Sequence, residues 1–163
     1  PVSSAASDVY KRQQQLRQLR PDWTLVMSSA IEPSFLTTLL NDQAILQRRC
    51  RWDVGVIQAD ALASDPAATL HALAQLDEHL PDLLRREVDW IRSWREPTLL
   101  LADVPPAAAQ LSNALDAPLV WMSNFGWDDI YRPFGEAFHD HVERARSAYA
   151  SGLFLLRLSL IHI

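Results

Sequence analysis

Lysine is all but missing from this chain. Lys11 is the only one among 163 residues, every other cation is an arginine, and the formal charge is −5. An acidic chain so poor in lysine lacks the clustered cations that neutralise phosphates, which argues against nucleic acid or an anionic membrane as partner. Arg48, Arg49 and Arg51 are the one basic cluster; they read as the decoration of a strand edge, with anion contact the alternative. Cysteine is nearly as scarce. Cys50 stands alone, which excludes an internal disulfide and a thiolate metal cluster and suits a small buried apolar residue. No apolar run reaches the length of a membrane span: the longest, Gly152–Ile163, is interrupted by Arg157. Glycine-rich phosphate loops and the HExxH and GxSxG patterns are absent too. No signal peptide can be read, and cytoplasm is the default expectation.

The lone lysine points to the ends of the chain. Ser3–Gln13 (SSAASDVYKRQ) is the translation of an adapter widely used in transposase-based sequencing. Leu158–Ile163 (LSLIHI) translates the reverse complement of the end of that adapter. Residues 1–13 and 158–163 are therefore expected to be adapter-derived and outside fold reasoning. The natural material is then Gln14–Arg157, with a formal charge one unit more negative once Asp8, Lys11 and Arg12 are set aside. That length suits a single domain with a real core.

Along that stretch, strand and helix signals alternate. A helix end is expected at Gln14–Arg20, stopped by Pro21, then a strand at Trp23–Met27 with Ser28–Ala30 as its exit loop. Phe35, Leu36, Leu39 and Leu40 predict a short helix over Ser34–Leu40. One or two weak strands are expected within Ile45–Val56, ending near Val54–Ile57. Asp65–Pro66 is a helix start, with Asp as cap and Pro in the first turn. Leucines then recur every three or four residues to Trp94, with Pro81 expected to kink or divide the helix. Its charges, Asp77, Glu78, Arg85, Arg86 and Glu87, are expected mostly on the solvated face. Strand Thr98–Ala102, helix Ala107–Leu115, strand Leu119–Met122, a loop, helix Phe134–Ala150 and strand Leu153–Leu156 follow. The expected fold is α/β: a Rossmann-like, doubly wound parallel sheet without an internal boundary.

In such sheets ligands sit beyond the carboxyl ends of the strands. Two segments end there abruptly. Thr98–Pro106 (TLLLADVPP) runs into Asp103, which can orient or deprotonate a hydroxyl or can cap the following helix. Pro118–Asp129 (PLVWMSNFGWDD) runs into Ser123, Asn124, Trp127 and Asp128. An amide, an aromatic plane and a carboxylate together suit a sugar, whose ring face stacks while its edges bond; Trp127 as a core anchor is the other reading. Gln58 and Asp60 follow an earlier apolar run, as ligand contacts or as loop caps. His139 and His141 are two apart, do not share a helix face, and read as surface residues rather than metal ligands. His71 and His79 show no evident partner.

The segments VIQADALASDPAATL (Val56–Leu70), LLLADVPP (Leu99–Pro106), PLVWMSNFGWDDIY (Pro118–Tyr131) and the stretch from Ala148–Tyr149 into GLFLLR carry a resemblance. Together they resemble the N-terminal domain of GT-B glycosyltransferase-like proteins, including bacterial glycosyltransferase-like proteins and the N-terminal region of plant-type L-arabinokinases. The likeness covers nearly all of Gln14–Arg157, and its Asn-Phe-x-Trp-Asp block is fairly specific. It implies a GT-B acceptor-side half-domain that binds a small-molecule sugar through Asp103, Asn124, Trp127, Asp128, Gln58 and Asp60. The cofactor, a nucleotide-sugar donor, would sit on a C-terminal nucleotide-binding partner domain that this sequence does not include. The family's first strand, with its glycine- and histidine-bearing loop, has no counterpart here either, and the catalytic base is expected in that segment. The piece alone is therefore expected to lack turnover. The alternative that the resemblance allows is a carbohydrate-sensing or regulatory domain attached to a sugar kinase.

Overall fold

The structure, a computed structural model, describes residues 15–35 and 45–157. These fall into two compact units that divide between Arg51 and Trp52. In the first, residues 15–19 are helical. Strands β1 (Val26–Ser29) and β2 (Leu46–Arg49) pair in parallel, with Val26 opposite Leu46 and Ser29 opposite Arg49. Ile45 is buried against Leu25 and Met27. Cys50 is buried as a free thiol, its N–H donating to the Ser29 carbonyl at 3.1 Å. β1 lies later than the strand expected at Trp23–Met27. It takes in Ser28 and Ser29, because ladder pairing with Arg48 and Arg49 needs only backbone groups. Arg49 is paired with Glu32 at 3.1 Å, so this member of the basic cluster faces an acid. Residues 33–35 are helical. The rest of the helix expected over Ser34–Leu40 lies outside the described residues, as do both adapter-like ends.

The second unit opens on an irregular segment and then a long helix, α1 (Pro66–Ser93, 28 residues). Its start is as the sequence predicts: Asp65 Oδ1 accepts the Ala68 N–H at 2.8 Å and Pro66 fills the first turn. Thr69, completely buried, donates from Oγ1 to the Asp65 carbonyl (2.7 Å) and accepts the Ile57 N–H (3.0 Å), fastening helix to incoming chain. Leu73, Leu80 and Val88 form its buried stripe; each contributes roughly 1.5–3 kcal/mol by leaving water. Of the two outcomes expected at Pro81, a kink or a division, the helix is not divided and continues for another three turns. One expectation is corrected. Glu87 is buried rather than solvated, because it adjoins Val88 on the inward stripe. Of the one or two weak strands expected within Ile45–Val56, one forms, β2, and it ends at Arg49 rather than near Val54–Ile57. Gly55 takes φ +74°, off the extended region, and Val54 and Val56 pack onto an aromatic cluster instead of a sheet.

Strand and helix then alternate: β3 (Leu100–Ala102), α2 (Ala107–Leu115), β4 (Leu119–Ser123), α3 (Trp127–Tyr131), α4 (His139–Ala150) and β5 (Phe154–Arg157). β3, β4 and β5 form a sheet in that order, every pair parallel, with Leu100 opposite Leu119 and Val120 opposite Phe154. This is the parallel, Rossmann-like α/β arrangement expected from the sequence. The stretch expected as a loop after β4 holds the short helix α3. The expected helix Phe134–Ala150 begins as two 3₁₀ turns, Arg132–Phe134 and Glu136–Phe138, separated by Gly135 at φ +92°.

Alternation along β4 sets the two faces of the sheet. Leu119, Trp121 and Ser123 are buried, and the first two pack with Ala102, Ala108, Ala109, Ala148 and Tyr149. On the other face, Leu101, Val120 and Phe154 form one cross-strand row and Met122 and Leu156 the next. Leu101, Phe154 and Leu156 are exposed. A second core joins Leu73, Tyr131, Phe138 and Val142 with Leu70, Trp127 and Phe134.

Candidate functional site

Because β3 and β4 are parallel, the loops that follow them leave the same edge of the sheet. Asp103 follows β3 directly and is exposed. Helix α2 has Pro106 at its N-cap, with no side-chain cap, and the Ala108 and Ala109 N–H groups donate to the Pro105 and Pro106 carbonyls. Between Asp103 and the prolines, Val104 holds φ +77°, a left-handed conformation that a β-branched residue rarely takes. Val104 is buried, so packing holds it there.

The β4 loop is pinned at three points. Buried Ser123 donates from Oγ to the Phe125 carbonyl (2.8 Å), and the Phe125 N–H returns to Ser123 Oγ (3.3 Å). Tyr149, from α4, uses one hydroxyl for two loops: it donates to the Val104 carbonyl at 2.8 Å and accepts the Trp127 N–H at 3.0 Å. A Cβ at Gly126 would overlap both the Tyr149 ring and the Asp128 carboxylate, so the close approach requires glycine. The third fastening runs to the segment before α1. Trp127 Nε1 donates to Asp53 Oδ2 at 3.2 Å, and the Tyr131 hydroxyl donates to the Gly55 carbonyl at 3.0 Å.

Trp127 and Tyr131 are stacked, centroids 5.2 Å apart and planes 14° from parallel, and Phe125 meets Trp127 edge-on at 5.4 Å. Trp127 is half-buried, Asn124 and Phe125 are exposed, and the Asp128 side chain retains 16% exposure, 3.8 Å from Arg132. Tyr149 binds the two strand-end loops together, which links the neighbourhood of Asp103 to that of Asn124, Trp127 and Asp128. Gln58 and Asp60 belong to a separate feature, a turn before α1 closed by the antiparallel bridge Gln58–Ser64. Asp60 Oδ1 there accepts the Leu62 and Ala63 N–H groups, each at 2.8 Å. These bonds draw its pKa below the usual carboxylate range.

The chain is similar to part of a sugar kinase. It is 29% identical over 133 residues to the L-arabinokinase of Arabidopsis thaliana, an alignment spanning 77% of this chain and 13% of that protein. No family model and no solved structure matches it.

Burial raises the pKa of Tyr149 and Tyr131, with the negative charge of Asp53 adding to it in both. Both phenols therefore stay protonated across the physiological range and serve as fixed donors. Among the described residues, no cluster of three or more His, Cys, Asp or Glu is placed to hold a metal, and no helix is long and apolar enough to cross a membrane. Three histidines have neighbours: His71 lies 3.1 Å from Gln75 Nε2, His79 2.6 Å from the Gln75 carbonyl, and His141 2.8 Å from Arg144. His141 is half-buried rather than a plain surface residue. What the edge presents is an exposed amide, an exposed phenyl ring and carboxylates on a backbone fixed from several sides. Phe125 and Tyr149 were not among the sequence candidates. Phe125 sits inside the Asn-Phe-x-Trp-Asp block and was legible there. Tyr149 lies 45 residues from Val104, and no local spacing announces the bond between them.

Proposed function

We propose that this chain is the carbohydrate-binding α/β region of a larger sugar-handling protein, acting as a sensing or regulatory module beside a sugar kinase. The observation that carries this reading is the likeness to L-arabinokinase, a protein that by its name acts on L-arabinose. The sugar would lie over the β3 and β4 loops, with Asp103, Asn124 and Asp128 bonding hydroxyls and an aromatic face beneath the ring. The chain spans 13% of that relative's length, and its sequence contains no glycine-rich phosphate loop, so phosphoryl transfer is assigned to other parts of the intact protein. A panel of neutral monosaccharides including L-arabinose, titrated against the chain by calorimetry, tests this. Saturable binding of at least one is expected, and no response from any member of the panel would overturn it.

A second reading is favoured by the pattern of polar residues at the carboxyl edge of a parallel sheet. In it the chain is the acceptor-side half of a GT-B glycosyltransferase-like protein, with a nucleotide-sugar donor held by a second domain. The intact gene separates the two. A nucleotide-binding α/β domain alone after the region of Arg157 supports transfer, and an added kinase domain supports sensing. The same gene tests whether Ser3–Gln13 and Leu158–Ile163 derive from adapter, since an uninterrupted natural sequence encoding both would rule that out.

A further inference from the structure

Resting on the sugar reading above, we infer that the ring on which the sugar stacks is Phe125, and that Trp127 is the buttress behind it. A stacking platform needs an open face, because the apolar C–H side of a pyranose packs on the electron-rich face of the ring. Trp127 is heavily engaged. Tyr131 lies parallel to its indole at 5.2 Å, Nε1 is bonded to Asp53, and the ring is packed with the cluster around Leu73 and Phe138. Phe125 is 47% exposed. Exposure of one phenylalanine is ordinary, but this one is held on a fixed loop. Ser123 Oγ binds both its carbonyl and its N–H, and Trp127 supports the ring edge-on at 5.4 Å. The loop therefore presents the ring without the ordering loss that a flexible aromatic incurs on binding. Exposed Asn124 precedes it directly, and Asp103 stands at the end of the neighbouring strand. An exposed ring preceded in the chain by an exposed amide, with a carboxylate at the end of the neighbouring strand, suits a monosaccharide with one apolar face and hydroxyls around its edge.

The test uses the whole chain with the monosaccharide that the panel selects, L-arabinose first. Phe125→Ala and Phe125→Leu are each expected to weaken binding about fivefold to tenfold, while Phe125→Tyr stays within about twofold. Saturation transfer from aromatic protons to one face of the bound sugar is expected in the wild type and is expected to be lost in Phe125→Leu. Wild-type affinity in Phe125→Ala and Phe125→Leu would overturn the assignment while leaving the sugar reading intact. Absence of binding by the wild type to every sugar in the panel removes that reading, and the platform with it.

Discussion

Tyr149 concentrates more structural consequence in one hydroxyl than any other residue at the sheet edge. It satisfies the Val104 carbonyl, in a turn held at φ +77°, and the Trp127 N–H at the start of α3. Removing the oxygen leaves one donor and one acceptor short of partners in a half-buried place. Tyr149→Phe is therefore expected to lose about 1–3 kcal/mol, read from denaturant unfolding. A change under a few tenths of a kcal/mol would mean that water replaces both bonds. His141 supplies a pH dependence. Burial first, then the neighbouring Arg144 cation, lower its pKa from 6.5, against opposing pulls from Asp77 and Asp140. The unfolded chain takes up this proton at higher pH than the folded one, so the contribution is complete above about pH 6.5 and lost as pH falls through the folded value. His141→Gln is expected to narrow the difference in stability between pH 7.5 and pH 5.5. An unchanged difference would place the acid sensitivity elsewhere.

At the scale of elements, α1 shows what sequence patterning conveys and what it does not. Its cap, first-turn proline and leucine stripe were all readable, because each is a local signal with a fixed spacing. Of the kink or division expected at Pro81, the division does not occur. A proline costs a helix one hydrogen bond and some strain, and here the packing of Leu73, Leu80 and Val88 on either side outweighs that local loss. Pro81 is exposed, so Pro81→Ala restores the bond without opening a cavity. It is expected to raise stability by about 1–3 kcal/mol; a destabilised variant would show that the proline shapes a bend on which the packing depends. The sheet was legible in the same way, since β3 and β4 are apolar runs ended by punctuation. Val54 and Val56 were misread because the alternation that makes a strand also serves an extended segment lying on helices, and the positive φ of Gly55 is not written in the pattern. At the candidate site, the polar residues at the strand ends were readable from position. The Tyr149 bonds and the shielding of Trp127 by Tyr131 depend on tertiary approach and were not.

At the scale of the whole molecule, the β3–β4–β5 sheet leaves an apolar face and an apolar edge exposed among the described residues. Leu99, Leu101, Phe154 and Leu156 are exposed, and in β5 Leu155 is as well. Among the described residues β5 pairs on one side only, with β4. Soluble proteins protect such edges with charge, proline or a covering element; here the strand reads Phe-Leu-Leu up to Arg157. Contiguous apolar surface of this kind drives association, and a formal charge of −5 spread over 163 residues opposes it only weakly once salt screens it. The chain is therefore expected to sediment above monomer mass at tens of micromolar, and to do so more strongly as salt rises. Phe154→Glu and Leu156→Lys each place a charge on an already exposed position. They are expected to return the chain to monomer with little change in melting temperature, since neither side chain contributes much buried area. A single monomeric species across the concentration range in the wild type would sink this expectation. Association that survives both substitutions would move the contact away from β5, and the exposed ring of Phe125 would be the next residue to test.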